Sequence, residues 1–390
     1  VFIPEGFSFS AVASGIKKEA LDLGLIYAEK PVQGAGVFTS NLVKAAPVLL
    51  AQGLLAKRNA FRAILVNSGC ANACTGEEGL NDAQEISSYL AQKLNCLPEE
   101  ILPASTGVIG ERLPKEKIIE AIPPLIEGLS PDKYQDFAKA IMTTDAFPKI
   151  ASRQIEISGE KINILGIAKG AGMIAPNMAT MLAFLLTDTS LAQDKIYKIL
   201  KDTVDKTFNR ITVDGDTSTN DTVYLLASGY KKKIEDRNID SFKKALYEVC
   251  YELASFIVKD GEGATKLVKI KIINAENENR AVKIAQTVAN SLLVKTAFFG
   301  EDPNWGRFLA AMGRAGINFD PNKVDIYINE IKIVENGLGT GKESENRAHL
   351  EMKKPNFVVT IDLKQGRAEA QYLTCDLSYD YVKINAEYRT

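Results

Sequence analysis

Amphipathic helices alternate with short apolar β-type runs along this chain, and that alternation limits its fold more than any other feature. Each such helix has one apolar face to bury and one polar face for water, so helices of this kind cover sheets. The spacing predicts a helix capped by Ser130-Pro131, with Tyr134, Phe137, Ala138 and Ile141 on its apolar face, ending near Thr143-Thr144-Asp145. A second starts around Asp194 and carries Ile196, Ile199, Leu200, Thr203, Val204 and Phe208. A third runs from Asp240-Ser241 through Phe242, Leu246, Val249, Leu253 and Ile257 to a glycine cap at Asp260-Gly261. Strands are expected at 63–66, 154–157, 162–168, 180–186, 222–227, 267–273 and 357–363. The reading is an α/β chain without internal repeats.

At 390 residues the chain has room for two or three domains. A polar stretch, 274–279, precedes a helix of its own (Ala281, Ile284, Ala285, Val288, Leu292), so the expected division is a larger domain, 1–270, and a smaller C-terminal α/β domain, 271–390. Forty-seven basic against 49 acidic residues leave a net charge of −2, which disfavours a nucleic-acid binder. The longest clean apolar run, Met181 to Leu186, is too short for a membrane span, and Val1-Phe2-Ile3-Pro4-Glu5 lacks the order of a signal peptide, so the expected location is the cytoplasm.

Five scattered cysteines without a C-x-x-C pair point to a reduced compartment and no structural zinc, with Cys70 and Cys74 read as small buried thiols. The single histidine, His349, falls in a polar stretch expected to be solvated. A Ser-His-Asp triad, a Cys-His pair or a histidine metal site would rest on that one residue, so catalysis here needs another base. Gly170-Ala171-Gly172-Met173-Ile174-Ala175 fits a dinucleotide fingerprint, but Pro176 and the apolar run from Met181 leave no room for the helix that would hold a pyrophosphate. Asp214 to Asp221 resembles a calcium loop, yet Thr219 and Leu225 stand where the glycine and the bidentate glutamate belong. A tight polar turn is the preferred reading there.

The segment from Lys169 to Leu186 carries more. A glycine loop leads through Pro176-Asn177 to Thr180 at the head of a strongly apolar strand. A nucleophile in a chain almost without histidine can borrow its base from a chain terminus, because an α-amine titrates near neutrality, at roughly 7.7–8.0. Thr180 acquires such an amine only if the Ala179–Thr180 peptide is cut.

This segment, with the stretches around Ser105-Thr106-Gly107, Met142-Thr143-Thr144-Asp145, Thr212 to Asp221, Asp260-Gly261-Glu262-Gly263 and Gly300-Glu301-Asp302-Pro303-Asn304-Trp305, resembles the glutamate N-acetyltransferase (ornithine acetyltransferase) family of arginine biosynthesis, essentially end to end. The resemblance implies a self-processing threonine-nucleophile α/β fold with two β-sheets between helical layers. It implies cleavage into an α chain, 1–179, and a β chain, 180–390, that stay together in an α2β2 assembly. Thr180 would be the nucleophile and its freed amine the base; Thr106 and Gly107 would form the oxyanion hole. Substrate-binding positions would be Lys169, Glu262, Thr144 (favoured over Thr143), Asn385 and Thr390. The implied reaction moves acetyl from N2-acetylornithine to glutamate without metal or other cofactor, acetyl-CoA being a candidate second donor. Lys169 and Glu262 together suit a pocket that meets first an ornithine ammonium and then a glutamate carboxylate. A self-processing aminopeptidase or amidase of related fold is the alternative; it would pass the acyl group to water.

Overall fold

In a computed structural model, residues 1–175 and 181–387 are described, and the chain forms two compact units. The first comprises 1–170, 177–209 and 216–257; the second comprises 171–176, 210–215 and 258–390. The second unit is therefore not a single C-terminal piece beginning near 271: two short earlier segments belong to it, and its main part starts at Val258.

The first unit contains β1 (Phe7–Val12), β2 (Leu23–Phe38), β3 (Ala60–Cys70), β4 (Ile101–Val108), β5 (Lys149–Ile157), β6 (Glu160–Lys169) and β7 (Leu182–Thr187). After the two-residue β8 (Ile211–Thr212), which belongs to the other unit, it is completed by β9 (Thr222–Ala227). These strands form one mixed sheet in the order β4-β3-β2-β9-β7-β6-β5, with β1 paired to β2. At its centre β7 and β9 run parallel, Leu182 opposite Thr222, and every residue of both is buried. That continuous apolar run is what a strand covered on both faces requires.

Alternation shows the two faces. On β2 and β3, Ile26, Ile64 and Val66 pack with Phe137 and Ile141 near the helix Tyr134–Ala140. Leu25, Ala63 and Leu65 turn the other way, against Ile86 and Leu90 of the helix Gly76–Leu94 and Ile118 and Ile122 of the helix Lys115–Glu127. The second unit has its own mixed sheet, adding β10 (Leu267–Ala275), β11 (Asp325–Ile328), β12 (Ile331–Glu335), β13 (Leu338–Gly339), β14 (Asn356–Asp362) and β15 (Ala368–Cys375). Its order is β13-β12-β11-β14-β10-β15-β8. Val268, Ile270 and Ile272 of β10 are fully buried against Ile284 and Val288 of the helix Glu278–Ala289. The class is α/β with two mixed sheets, one in each unit.

Local readings differ in instructive ways. Ser130 caps a single 3-10 turn, Pro131–Lys133, before the α-helix Tyr134–Ala140 begins. The second expected helix runs Gln193–Lys206 and leaves Phe208 to a following 3-10 turn. The third runs Ile239–Lys259, but Gly261 is not its left-handed cap; the positive φ, 69°, belongs to Gly263. Leu292 opens a separate helix, Leu292–Phe299, where it is exposed. Cys70 is buried as expected, whereas Cys74 is exposed. No helix among the described residues is long and apolar enough to cross a membrane.

Candidate active site

Three expected site residues, Ala179, Thr180 and Thr390, lie outside the described residues. The others fall into two clusters, one in each unit.

The first cluster grows from the ends of β4 and β6. β3 and β4 run parallel until a register shift at Gly69/Cys70, where Cys70 faces both Thr106 and Val108. Gly107 takes φ 131°, and a Cβ there would lie 2.3 Å from the Gly69 carbonyl carbon, so only glycine fits this bulge. Ser105-Thr106-Gly107 is thus the bulged end of a strand. Lys169, the last residue of β6, is buried and donates to Thr143 Oγ1 at 2.7 Å and to Thr106 Oγ1 at 3.2 Å. An ammonium donating to a hydroxyl oxygen leaves that hydroxyl's own proton to be aimed elsewhere.

Asp145 organises this cluster, a role the sequence reading did not assign. Its Oδ1 accepts from Lys149 Nζ at 2.7 Å and from Gly170 N–H at 2.6 Å, and its Oδ2 accepts from Thr143 N–H at 3.0 Å. Lys169 Nζ stands 3.8 Å from the same carboxylate. Burial opposes ionisation of Asp145, but Lys169, Lys149 and these hydrogen bonds overcome it and hold the carboxyl below the usual range. Lys17 is anchored alongside, donating to Met142 O at 2.6 Å; burial pulls its pKa down, and Lys169 adds to that fall. Lys149 and Lys169 thus meet one carboxylate, with Lys17 nearby and facing Asp22, an arrangement suited to an anionic group or a developing oxyanion. Of the adjacent pair, Thr143 is the one whose hydroxyl meets Lys169.

The second cluster centres on Glu262, in the loop after the helix Ile239–Lys259. Its N–H donates to Ala171 O at 2.9 Å, and its Oε2 accepts from Asn385 Nδ2 at 2.8 Å. A Cβ on Gly172 would come within 2.4 Å of the Glu262 carboxyl carbon, so the glycine makes room for that side chain. Met173 N–H and Ile174 N–H both donate to Asp214, at 2.6 and 2.8 Å. The amides that a phosphate-binding loop would offer are therefore occupied by the protein's own carboxylate.

The remaining polar turn behaves as expected at its far end: Asn220 N–H is held by Ser218 Oγ at 3.0 Å, and Thr222 Oγ1 donates to Asn220 O at 2.9 Å. His349 departs from its reading. It is half-buried, with Nδ1 2.7 Å from Glu301 O, so that nitrogen carries the proton. Among the described residues no group of three or more His, Cys, Asp or Glu side chains is arranged to hold a metal ion.

A family model described as the ArgJ family matches residues 8–390. The chain belongs to the ArgJ family. It is 51% identical to the arginine biosynthesis bifunctional protein ArgJ of Desulfotalea psychrophila, across 99% of both chains. It is 45% identical to the glutamate N-acetyltransferase of Methanocaldococcus jannaschii, across 100% of this chain and 98% of that one. A crystal structure of the arginine biosynthesis bifunctional protein argJ from Bacillus halodurans shares 38% identity and a TM-score of 0.51; the match spans 53% of this chain and 98% of the solved chain. ArgJ family membership accounts for the end-to-end order of the motifs around Thr106, Asp145, Lys169, Asp214, Glu262 and Trp305.

Proposed function

We propose that this chain is an acyltransferase of arginine biosynthesis that moves acetyl from N2-acetylornithine to glutamate, giving ornithine and N-acetylglutamate, with Thr180 as its nucleophile. The activities for which its relatives are named, arginine biosynthesis and glutamate N-acetyltransfer, support the substrates. The observation that carries the mechanism is the buried Lys169, which joins Thr106 and the half-buried Thr143 near Asp145, beside the bulged Gly107.

Thr180 makes its own base by cleavage of the Ala179–Thr180 bond. Its hydroxyl attacks the Ala179 carbonyl, the peptide nitrogen leaves as the new amine, and water hydrolyses the resulting ester. The products are fragments of 179 and 211 residues. The solved Bacillus halodurans chain supports this, since it matches over nearly its whole length a share of this chain close to that of the 211-residue fragment.

In turnover, the Thr180 amine takes the hydroxyl proton while the oxygen attacks the acetyl carbonyl of N2-acetylornithine. Thr106 Oγ–H and Gly107 N–H donate to the tetrahedral oxyanion. The C–N bond breaks, the proton passes to the ornithine nitrogen, and the acetyl group remains as an ester on Thr180. The amine of glutamate attacks that ester, its proton returns to the threonine oxygen, and N-acetylglutamate leaves. Lys169, Thr144, Glu262, Asn385 and Thr390 bind the two amino acids in turn. The reading places the enzyme in the cytoplasm as an α2β2 assembly without metal or cofactor, with acetyl-CoA the candidate second donor.

The test is to supply both substrates and measure N-acetylglutamate against acetate. Transfer without net acetate release, with parallel initial-rate lines at several fixed glutamate concentrations, is expected; stoichiometric acetate would make the chain an amidase.

A further inference from the structure

Asp221 closes the polar loop ahead of β9 and is wholly buried. The β7/β9 register sets Leu182 opposite Thr222, so Met181 and Asp221 stand at the shared entrance to the two strands. Two bonds seal that entrance. Met181 N–H donates to Asp221 Oδ1 at 2.9 Å, and Thr222 N–H donates to Met181 O at 3.2 Å.

Met181 follows Thr180 directly in the sequence, so Asp221 holds the residue next to the proposed nucleophile. Its second oxygen, Oδ2, is buried with no hydrogen-bond partner among the described residues. The same loop also braces the oxyanion strand: Asn220 Nδ2 donates to Ser105 O at 2.8 Å, one residue before Thr106.

An ionised carboxylate this dry is strongly disfavoured, and burial pushes the Asp221 carboxyl well above its ordinary range in spite of Met181 N–H, Lys169 and Thr39. Thr39 is tied within its own loops, giving its hydroxyl proton to Ser218 O at 2.6 Å and accepting from Asn41 N–H at 3.0 Å.

We propose that Asp221 is a positioning residue that, through its bond to Met181 N–H, holds the backbone that follows Thr180 in place for both self-cleavage and acetyl transfer. This rests on Thr180 being the nucleophile. The amide of Asp221→Asn keeps an oxygen for Met181 N–H, so this variant keeps the clamp; Asp221→Leu keeps the approximate shape and removes it.

The experiment compares both variants with Thr180→Ala, reading fragment formation by intact mass, folding by thermal melting, and kcat and KM separately. Folded Asp221→Leu is expected to cleave itself and turn over about 100-fold more slowly, the loss typical of a misplaced reacting group, with KM for both substrates within about twofold. Asp221→Asn is expected to stay within about threefold of the parent in both rates. Equal activity of Asp221→Leu and the parent would overturn the clamp, as would a loss confined to KM. A folded Asp221→Asn as impaired as Asp221→Leu would overturn it as well, because it would show that an oxygen accepting from Met181 N–H is not what the position supplies. If Asp221→Leu fails to fold, Asp221→Ala takes its place and the Asn criterion stands unchanged. Cleavage and turnover in Thr180→Ala would remove the underlying nucleophile instead, a result that neither Asp221 variant can mimic.

Discussion

The two clusters of candidate residues are built on different physical terms. Around Asp145 every charged partner is tied down: Lys149 and Lys169 are buried, and the Gly170 and Thr143 amides close the carboxylate. Glu262 is buried too, but its side-chain partner Asn385 is exposed, on the C-terminal helix Tyr379–Ala386. A rigid, dry, positive cluster suits stabilisation of charge that appears only in the transition state, where preorganisation counts most. A carboxylate with an exposed amide partner suits recognition of substrates that must enter, leave and differ in charge. On the proposed mechanism, Thr106 and Gly107 in the first cluster serve rate and the Glu262–Asn385 pair serves selectivity, a division that substitutions in each can break.

The largest expected effect breaks the first cluster outright. Asp145→Asn leaves two buried lysines without their carboxylate and should cost about 3–5 kcal/mol of stability, read by denaturant unfolding at neutral pH. Because the folded-state pKa of Asp145 is depressed, its contribution is present above the unfolded value, about 3.9, and is lost as pH falls through the folded value. The gap between parent and variant should therefore shrink only in acid. Next, Thr106→Ala should lower kcat by about 10²- to 10³-fold with the protein folded and KM little changed, checked by steady-state kinetics.

Smaller effects are expected in the second cluster, and they should fall on the other kinetic constant. Glu262→Gln should raise KM for N2-acetylornithine about tenfold, the worth of one charge-assisted hydrogen bond, and raise KM for glutamate less. Asn385→Ala, which removes one neutral donor to that carboxylate, should change KM only about two- to fivefold. If Glu262→Gln lowered kcat as far as Thr106→Ala does, the division of labour between the clusters would fail.

Periodicity made the strands legible where side chains alternate or stay apolar, as at β3, β7 and β10. It hid β2, whose Glu29-Lys30-Pro31 interrupts the pattern midway through a sixteen-residue strand. It also hid the helix Lys115–Glu127: Pro123 and Pro124 read as terminators although Ile118, Ala121, Ile122 and Leu125 share its buried face. The motifs gave Thr106 and Lys169 roles, but none to the carboxyl groups that hold the site. Asp145 meets Gly170, Asp214 meets Ile174 and Asp221 meets Met181 across 25 to 40 positions of sequence. No local pattern records bonds of that range; they exist only once the strands are paired. Thr143 and Thr144 are adjacent and chemically alike, so nothing in the sequence says which of them Lys169 meets.

Intact mass measurement of the purified protein after incubation with N2-acetylornithine alone tests the central claim most directly. The account predicts two fragments, of 179 and 211 residues, with the larger gaining about 42 Da at Thr180 as the acetyl ester and losing it when glutamate is added. A fully active, uncut chain of 390 residues, or an active cleaved protein that never carries the added mass, would contradict it.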